Sequence, residues 1–132
     1  MKTLTSISLL YVISAAYDGL LGLAFLFAGP WIYTRLGITP PNHWGYVDFA
    51  AVLLVIFGMM FVQIARDPVK NQVLIPYGIL LKIGYVGTVC WHWFNAGIPN
   101  MWKQFAVADT LFAILFLVSL RALRQIEEKS PV

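Results

Sequence analysis

The chain has 132 residues, of which 60% are hydrophobic and 11% are charged, and its formal net charge is +3. Soluble domains carry about 25% charged residues, so this composition excludes an ordinary soluble protein and indicates an integral membrane protein, whose first partner is the lipid bilayer. The small basic excess does not cluster on one polar segment, which argues against a nucleic-acid partner.

Four apolar stretches are each long enough to cross a hydrocarbon layer about 30 Å thick as a helix. The first continues to Ala28, which is too long for the apolar core of a signal peptide, so we expect it to remain as a span. Gly29-Pro30 is expected to end this helix, and Arg66-Asp67-Pro68 to end the next one. A turn-rich loop is expected over 31–43 and a frayed polar tail over 121–132.

We therefore predict an all-α fold, a four-transmembrane-helix bundle that forms a single integral membrane domain over 1–132. The predicted spans are at about 7–28, 44–65, 73–94 and 102–120. One end of the bundle carries only Arg35 and Lys103, whereas the other carries six basic residues: Lys2, Arg66, Lys70, Arg121, Arg124 and Lys129. The positive-inside rule then places both the N- and C-termini in the cytoplasm.

Each predicted span carries one ionisable residue in apolar surroundings: Asp18, Asp48, Lys82 and Asp109. A charge at the bilayer centre costs about 2.5–3.5 kcal/mol on insertion scales, so such groups turn inward and pair, or line a wet cavity. We expect the Lys82 ammonium to pair with Asp18, with Asp109 or Asp48 as the alternative partner. Because three carboxyls face one amine, at least one acid is expected to be protonated at neutral pH or solvated.

This polar network has two interpretations. It can be architectural and fix the register of the helices, or it can be the floor of a functional site whose candidate catalytic residues are all four ionisable groups. Helical spacing places three of the groups on faces with aromatic or small residues, and Asp48 stands close to Trp44 and Tyr46 in the sequence. These faces are Asp18 with Tyr11, Gly22 and Phe25; Lys82 with Tyr85, Val89 and Trp93; and Asp109 with Trp102, Phe105 and Phe116. Four glycines would allow close approach of the backbones: Gly19, Gly22, Gly78 and Gly84.

All five tryptophans and both histidines fall toward the predicted outer end: Trp31, Trp44, Trp91, Trp93, Trp102, His43 and His92. One interpretation is that the indoles anchor the protein at headgroup depth. The other is an aromatic rim around an outward-facing pocket, with these candidate ligand-binding residues: Trp44, Tyr85, His92, Trp93 and Trp102.

Metal and thiol chemistry have little support in the sequence. The single cysteine, Cys90, excludes an intrachain disulfide and a metal site made of cysteines alone. His43 and His92 could ligate a metal or haem, but no Cys/His spacing motif accompanies them, so no metal site is predicted. The cofactor, if there is one, stays unknown at this stage.

Several short motifs resemble a known family. They are the segment Asp18 to Leu23, the run from Gly58 to Arg66-Asp67-Pro68, the segment Gly78 to Lys82, and Ala108-Asp109. Together they resemble the small four-helix bacterial membrane proteins of the DoxX-like type, over nearly the whole chain. The resemblance implies a four-helix bundle in a bacterial inner membrane and, because some relatives are subunits of quinone-linked sulfur oxidoreductases, a membrane partner subunit.

The leading hypothesis is an accessory membrane protein with an outward-facing pocket lined by Trp and Asp side chains. The pocket would bind a lipophilic small molecule, such as a quinone, an isoprenoid or a sterol-like compound. An alternative is an intramembrane enzyme (isomerase, hydrolase or oxidoreductase) that uses a buried Asp as general acid or base. Another alternative is a small proton-coupled carrier, which would be a homo-oligomer because four short helices barely enclose a path.

Overall fold

The computed structural model describes residues 2–130, and within them the chain is helical apart from its turns. The long helices are α1 (Lys2–Arg35), α2 (Gly45–Arg66), α3 (Ile75–Ala96) and α4 (Asn100–Lys129), and a 3₁₀ turn (Gln72–Leu74) precedes α3. Each long helix is apolar enough to cross a membrane. The prediction of an all-α fold with four helices of spanning length is confirmed.

The helices form two compact units, one on each side of the Arg66–Asp67 junction. In the first unit α1 packs against α2, and in the second α3 packs against α4. We call these units the first hairpin and the second hairpin. The prediction of a single domain over 1–132 stays a prediction.

Two glycines let α1 and α2 approach closely in the first hairpin. A Cβ at Gly22 would lie only 2.6 Å from the carbonyl oxygen of Ala51, and one at Gly58 would lie 3.1 Å from the Cα of Gly19. Gly19 of α1 faces Gly58 of α2, whereas Gly22, which comes later in α1, faces Ala51, which comes earlier in α2. The two helices therefore run antiparallel. Backbone contact through small residues is typical of helix pairs in membranes.

The regular helix breaks at Ala28, next to the predicted end at Gly29-Pro30, but a second helical segment follows directly, which was not predicted. Ala28 has non-helical backbone angles (φ −131°, ψ 18°), and α1 kinks there and continues to Arg35. Pro30 therefore falls in the first turn after the kink, where its missing N–H removes no hydrogen bond. The Thr34 hydroxyl donates to the carbonyl of Pro30 at 2.9 Å across this last segment.

Gly37 ends α1 in a Schellman motif. Its φ is 64°, a left-handed conformation that glycine adopts without a steric penalty. The N–H of Ile38 donates to the carbonyl of Tyr33 at 2.9 Å, and the N–H of Gly37 donates to the carbonyl of Thr34 at 3.2 Å. The loop that follows is thus shorter than the predicted 31–43.

The polar tail is helical as far as Lys129, contrary to the frayed segment predicted over 121–132, whose last two positions lie outside the described residues. Leu120 and Leu123 are buried, and Ile126 is half-buried, so an apolar stripe continues through the polar sequence. The Gln72 side-chain amide donates to the Glu127 carboxylate at 3.2 Å, which ties the end of α4 to the start of the second hairpin.

Candidate functional site

The most unusual polar feature of the second hairpin is an ion pair between its two helices. Lys82 has no exposed surface, and its Nζ donates to Oδ1 of Asp109 at 3.1 Å. Asp109 is also buried. The structure therefore pairs Lys82 with Asp109, which the sequence analysis named as an alternative to Asp18. The pairing of Lys82 with Asp18 stays a prediction.

Aromatic side chains accompany this ion pair. The Lys82 Nζ lies 5.1 Å from the ring centroid of Phe112, and Phe112 in turn packs against Phe116, with their centroids 5.9 Å apart. A cation over an aromatic face gains about 2 kcal/mol or more when it is removed from water. The ring and the carboxylate thus stabilise the ammonium together.

Tyr85 lies one helical turn from Lys82 toward the loop between α3 and α4. Its hydroxyl donates to the carbonyl oxygen of Trp102 at 3.1 Å. This bond holds the first turn of α4 against α3. Tyr85 and Trp102, two of the predicted ligand-binding residues, are therefore brought together.

The remaining predicted rim residues of the second hairpin are exposed near the same loop. The Trp93 side chain is 45% exposed, it stacks on Phe94 with centroids 6.0 Å apart, and the Lys103 Nζ lies 4.4 Å from the centre of its ring. His92 is exposed on the neighbouring position of α3. An exposed indole held between a ring and a cation suits both an interfacial anchor and the rim of a binding site.

The first hairpin holds the other two acids. Asp18 is buried, and so are the three residues predicted to share its face of α1, namely Tyr11, Gly22 and Phe25. Asp48 is half-buried in the first turn of α2, where the positive end of the helix dipole favours a carboxylate. Asp48 therefore has a local structural reason for its position.

Trp44 is built into an aromatic cluster at the loop end of the first hairpin. Its ring meets Tyr33 edge to face with centroids 5.0 Å apart, and Tyr33 meets Phe25 in the same manner at 6.5 Å. The indole also packs against Gly29, where a Cβ would lie in ordinary van der Waals contact, 3.4 Å from the ring. Trp44 is half-buried, so only part of its surface could face a ligand.

His43 has a role that sequence reasoning missed. Its Nδ1 accepts a hydrogen bond from the N–H of Gly45 at 3.0 Å, and this satisfies one of the unpaired donors at the start of α2. The sequence does contain a signal for this role, because His43 offers a side-chain acceptor two residues before α2 begins at Gly45. Asn or Asp in this region would have been recognised as a candidate helix cap. This bond occupies Nδ1, one of the two ring nitrogens through which a histidine can ligate a metal.

The structure contains no metal cluster in the part of the chain that it describes: no three His, Cys, Asp or Glu side chains come close enough to hold an ion. Comparisons with protein-family models, with curated proteins and with solved structures find no match. Function must therefore be argued from the site itself.

Proposed function

We propose that the chain is an accessory integral membrane protein, in a bacterial inner membrane, that binds an elongated lipophilic molecule at the second hairpin. The polar group of the ligand would bind at the Lys82–Asp109 pair, and its apolar body would run toward Trp93 and Trp102. A prenylated quinone, an isoprenoid alcohol or a sterol-like compound has this chemistry. The observation that carries the proposal is the buried ion pair.

Stability alone is a weak reason for this ion pair. Replacement of a buried pair by apolar residues of similar volume is often neutral or stabilising by about 1–4 kcal/mol, because desolvation offsets the attraction between the charges. Ionisable groups inside membrane helices accordingly tend to mark ligand or ion sites. An ammonium next to a carboxylate can both donate to a carbonyl and accept from a hydroxyl, which are the polar groups of the proposed ligands.

The spacing of the candidate residues sets the length of the ligand. Tyr85 lies one turn from Lys82, whereas Trp93 lies eleven residues away, which is about 16 Å along the helix. A single compact ring cannot touch both the ion pair and that indole. A sterol-like ring system or a prenylated ring is long enough, and the DoxX-like resemblance is consistent with a quinone.

The proposal is tested by mass spectrometry of molecules that copurify with the protein in mild detergent. We expect a lipophilic compound to be retained by the wild type and lost from Lys82→Met and Trp93→Ala. Leu111→Ala, at an exposed position of α4, is the matched control and should retain it. Retention of the compound by Lys82→Met would contradict the proposal. Chemical conversion of the recovered compound by the wild type, and not by Asp109→Asn, would favour the enzyme alternative.

A further inference from the structure

The first hairpin carries a feature that the proposed function does not use. An open groove of about 590 Å³ runs along its surface between α1 and α2. One wall comes from α1, between Val12 and Leu23, and the other from α2, between Val55 and Arg66. Arg66 is the one charged residue among those that line it.

The groove exists because the residues along its middle are small. Ala15, Gly19 and Gly58 line it, and a Cβ built at Gly19 meets nothing within 4 Å. The side chains on its edges are large and apolar, and they stay in contact with the surroundings: Met59 is 67% exposed and Leu20 is 66% exposed. The groove is therefore an accessible apolar surface.

The length of the groove matches one leaflet of a membrane. The residues from Val12 to Leu23 span about 16 Å of α1, and the hydrocarbon core of one leaflet is about 15 Å thick. Arg66, the last residue of α2, is exposed at one end of the groove. The opposite end, at Leu23 and Val55, is apolar.

The lining of the groove favours a lipid as its occupant. Its walls are apolar over the length of one leaflet, as an acyl chain requires, and Arg66 lies at one end, where a headgroup would lie. A guanidinium at the mouth adds the charge that binds phosphate, often through two parallel hydrogen bonds.

We propose that this groove binds an anionic phospholipid, with one acyl chain along the small-residue floor and the phosphate on the Arg66 guanidinium. The site lies in the first hairpin and uses none of the residues proposed to bind the ligand of the second. Lipid bound here would fill the surface over the close α1–α2 packing and fix the depth of Arg66 in the membrane.

The test is native mass spectrometry of the full chain in detergent, titrated with phosphatidylglycerol or with phosphatidylcholine of the same acyl composition. The wild type should prefer phosphatidylglycerol. Arg66→Gln should lower the affinity for phosphatidylglycerol by about tenfold and remove the preference, as expected for the loss of a charge-assisted hydrogen bond. Lys70→Gln, which removes a neighbouring exposed cation outside the groove, is the control and should bind like the wild type.

A second variant tests the apolar part of the groove. Gly19→Leu places a side chain in the open space and should weaken both lipids by a similar factor, so that the preference for phosphatidylglycerol remains. Gly84→Leu is the matched control on α3, because a Cβ there also meets nothing within 4 Å.

Equal phosphatidylglycerol affinity of wild type and Arg66→Gln, or of wild type and Gly19→Leu, would overturn the proposal. A dimer in the wild type that Gly19→Leu dissociates would also overturn it, in favour of a second copy as the occupant. Should Arg66→Gln fail to fold, Arg66→Lys keeps the charge, loses the paired hydrogen bonds and should show a smaller loss.

Discussion

A lysine in the middle of an apolar helix needs a counter-ion within hydrogen-bond reach, since an uncompensated ammonium in hydrocarbon is too costly to retain. Lys82 was visible in the sequence for this reason, and so were the acids that could serve it. Which acid lies within 3.1 Å was not visible, because that depends on the rotation of each helix about its axis. Helical spacing placed Asp109 on a helix face with Trp102, but Asp109 ranked behind Asp18 as the expected partner of Lys82.

Removal of Lys82 should destabilise the protein strongly. Lys82→Ala leaves Asp109 without its ammonium partner, and loss of one member of a buried pair costs about 3–5 kcal/mol. We expect the melting temperature in detergent, followed by circular dichroism, to fall by several degrees. Lys70→Ala, at an exposed lysine, is the control and should melt like the wild type. An unchanged melting temperature for Lys82→Ala would argue against an energetic role for the pair.

Replacement of both Lys82 and Asp109 distinguishes the cost of a buried unpaired charge from the cost of lost packing. The double variant Lys82→Met/Asp109→Leu removes the ammonium together with a carboxylate and fills similar volumes with apolar atoms. It should melt above Lys82→Met, because Asp109 is no longer left as a buried charge without its ammonium. If the double variant were less stable than Lys82→Met, the pair would be contributing something other than mutual neutralisation.

Substitution of Asp18 should be milder. Asp18→Asn keeps a side chain of nearly the same shape that still forms hydrogen bonds, and Asp109 can still serve as the counter-ion of Lys82. We expect its melting temperature to lie between those of the wild type and Lys82→Ala. A larger loss for Asp18→Asn than for Lys82→Ala would reverse this ranking and make Asp18 the dominant acid.

At the scale of elements, the sequence predicted the existence of the helices better than their ends. Pro30 was taken as a stop, but the kink at Ala28 moves it to the start of a new turn, where proline is tolerated. The charged tail was taken as frayed because its polar residues dominate the composition. Leu120 and Leu123, spaced three apart, are buried and continue the apolar stripe of α4, so periodicity outweighed average polarity.

The packing of α1 on α2 predicts that alanine substitutions at two glycines of α1 have different effects on stability. Gly22→Ala would bring a methyl group to 2.6 Å from the carbonyl of Ala51, so the helices must move apart and the melting temperature should fall. Gly19→Ala, three residues away, has open space and should be neutral or slightly stabilising, since alanine favours the helix by about 1 kcal/mol over glycine. The sequence treated both glycines alike. Equal melting temperatures for the two variants would contradict the close contact at Gly22.

At the scale of the whole molecule, each hairpin has the same division between its ends. The tryptophans lie near the connecting loop, and most of the basic residues lie at the opposite end, where the chain enters and leaves the hairpin. Apart from Lys82 in the middle of α3, the exceptions are Arg35 and Lys103. Each lies over an indole: Arg35 over Trp31 at 5.6 Å and Lys103 over Trp93 at 4.4 Å. A cation that packs on an aromatic ring at the interface contributes to anchoring there, whereas the cations at the chain ends are mostly exposed.

This asymmetry predicts the orientation in the membrane. The positive-inside rule places the chain ends in the cytoplasm and both tryptophan-bearing loops outside. In a Cys90→Ser background, a cysteine introduced by Asn42→Cys should react with a membrane-impermeant maleimide on intact cells. One introduced by Ser130→Cys should react only after permeabilisation, and both positions are exposed, so burial does not explain a difference. The reverse pattern would place the tryptophans at the cytoplasmic face. The orientation follows from charge alone, so reversal of the Lys and Arg bias should reverse the labelling without a change in the hairpins.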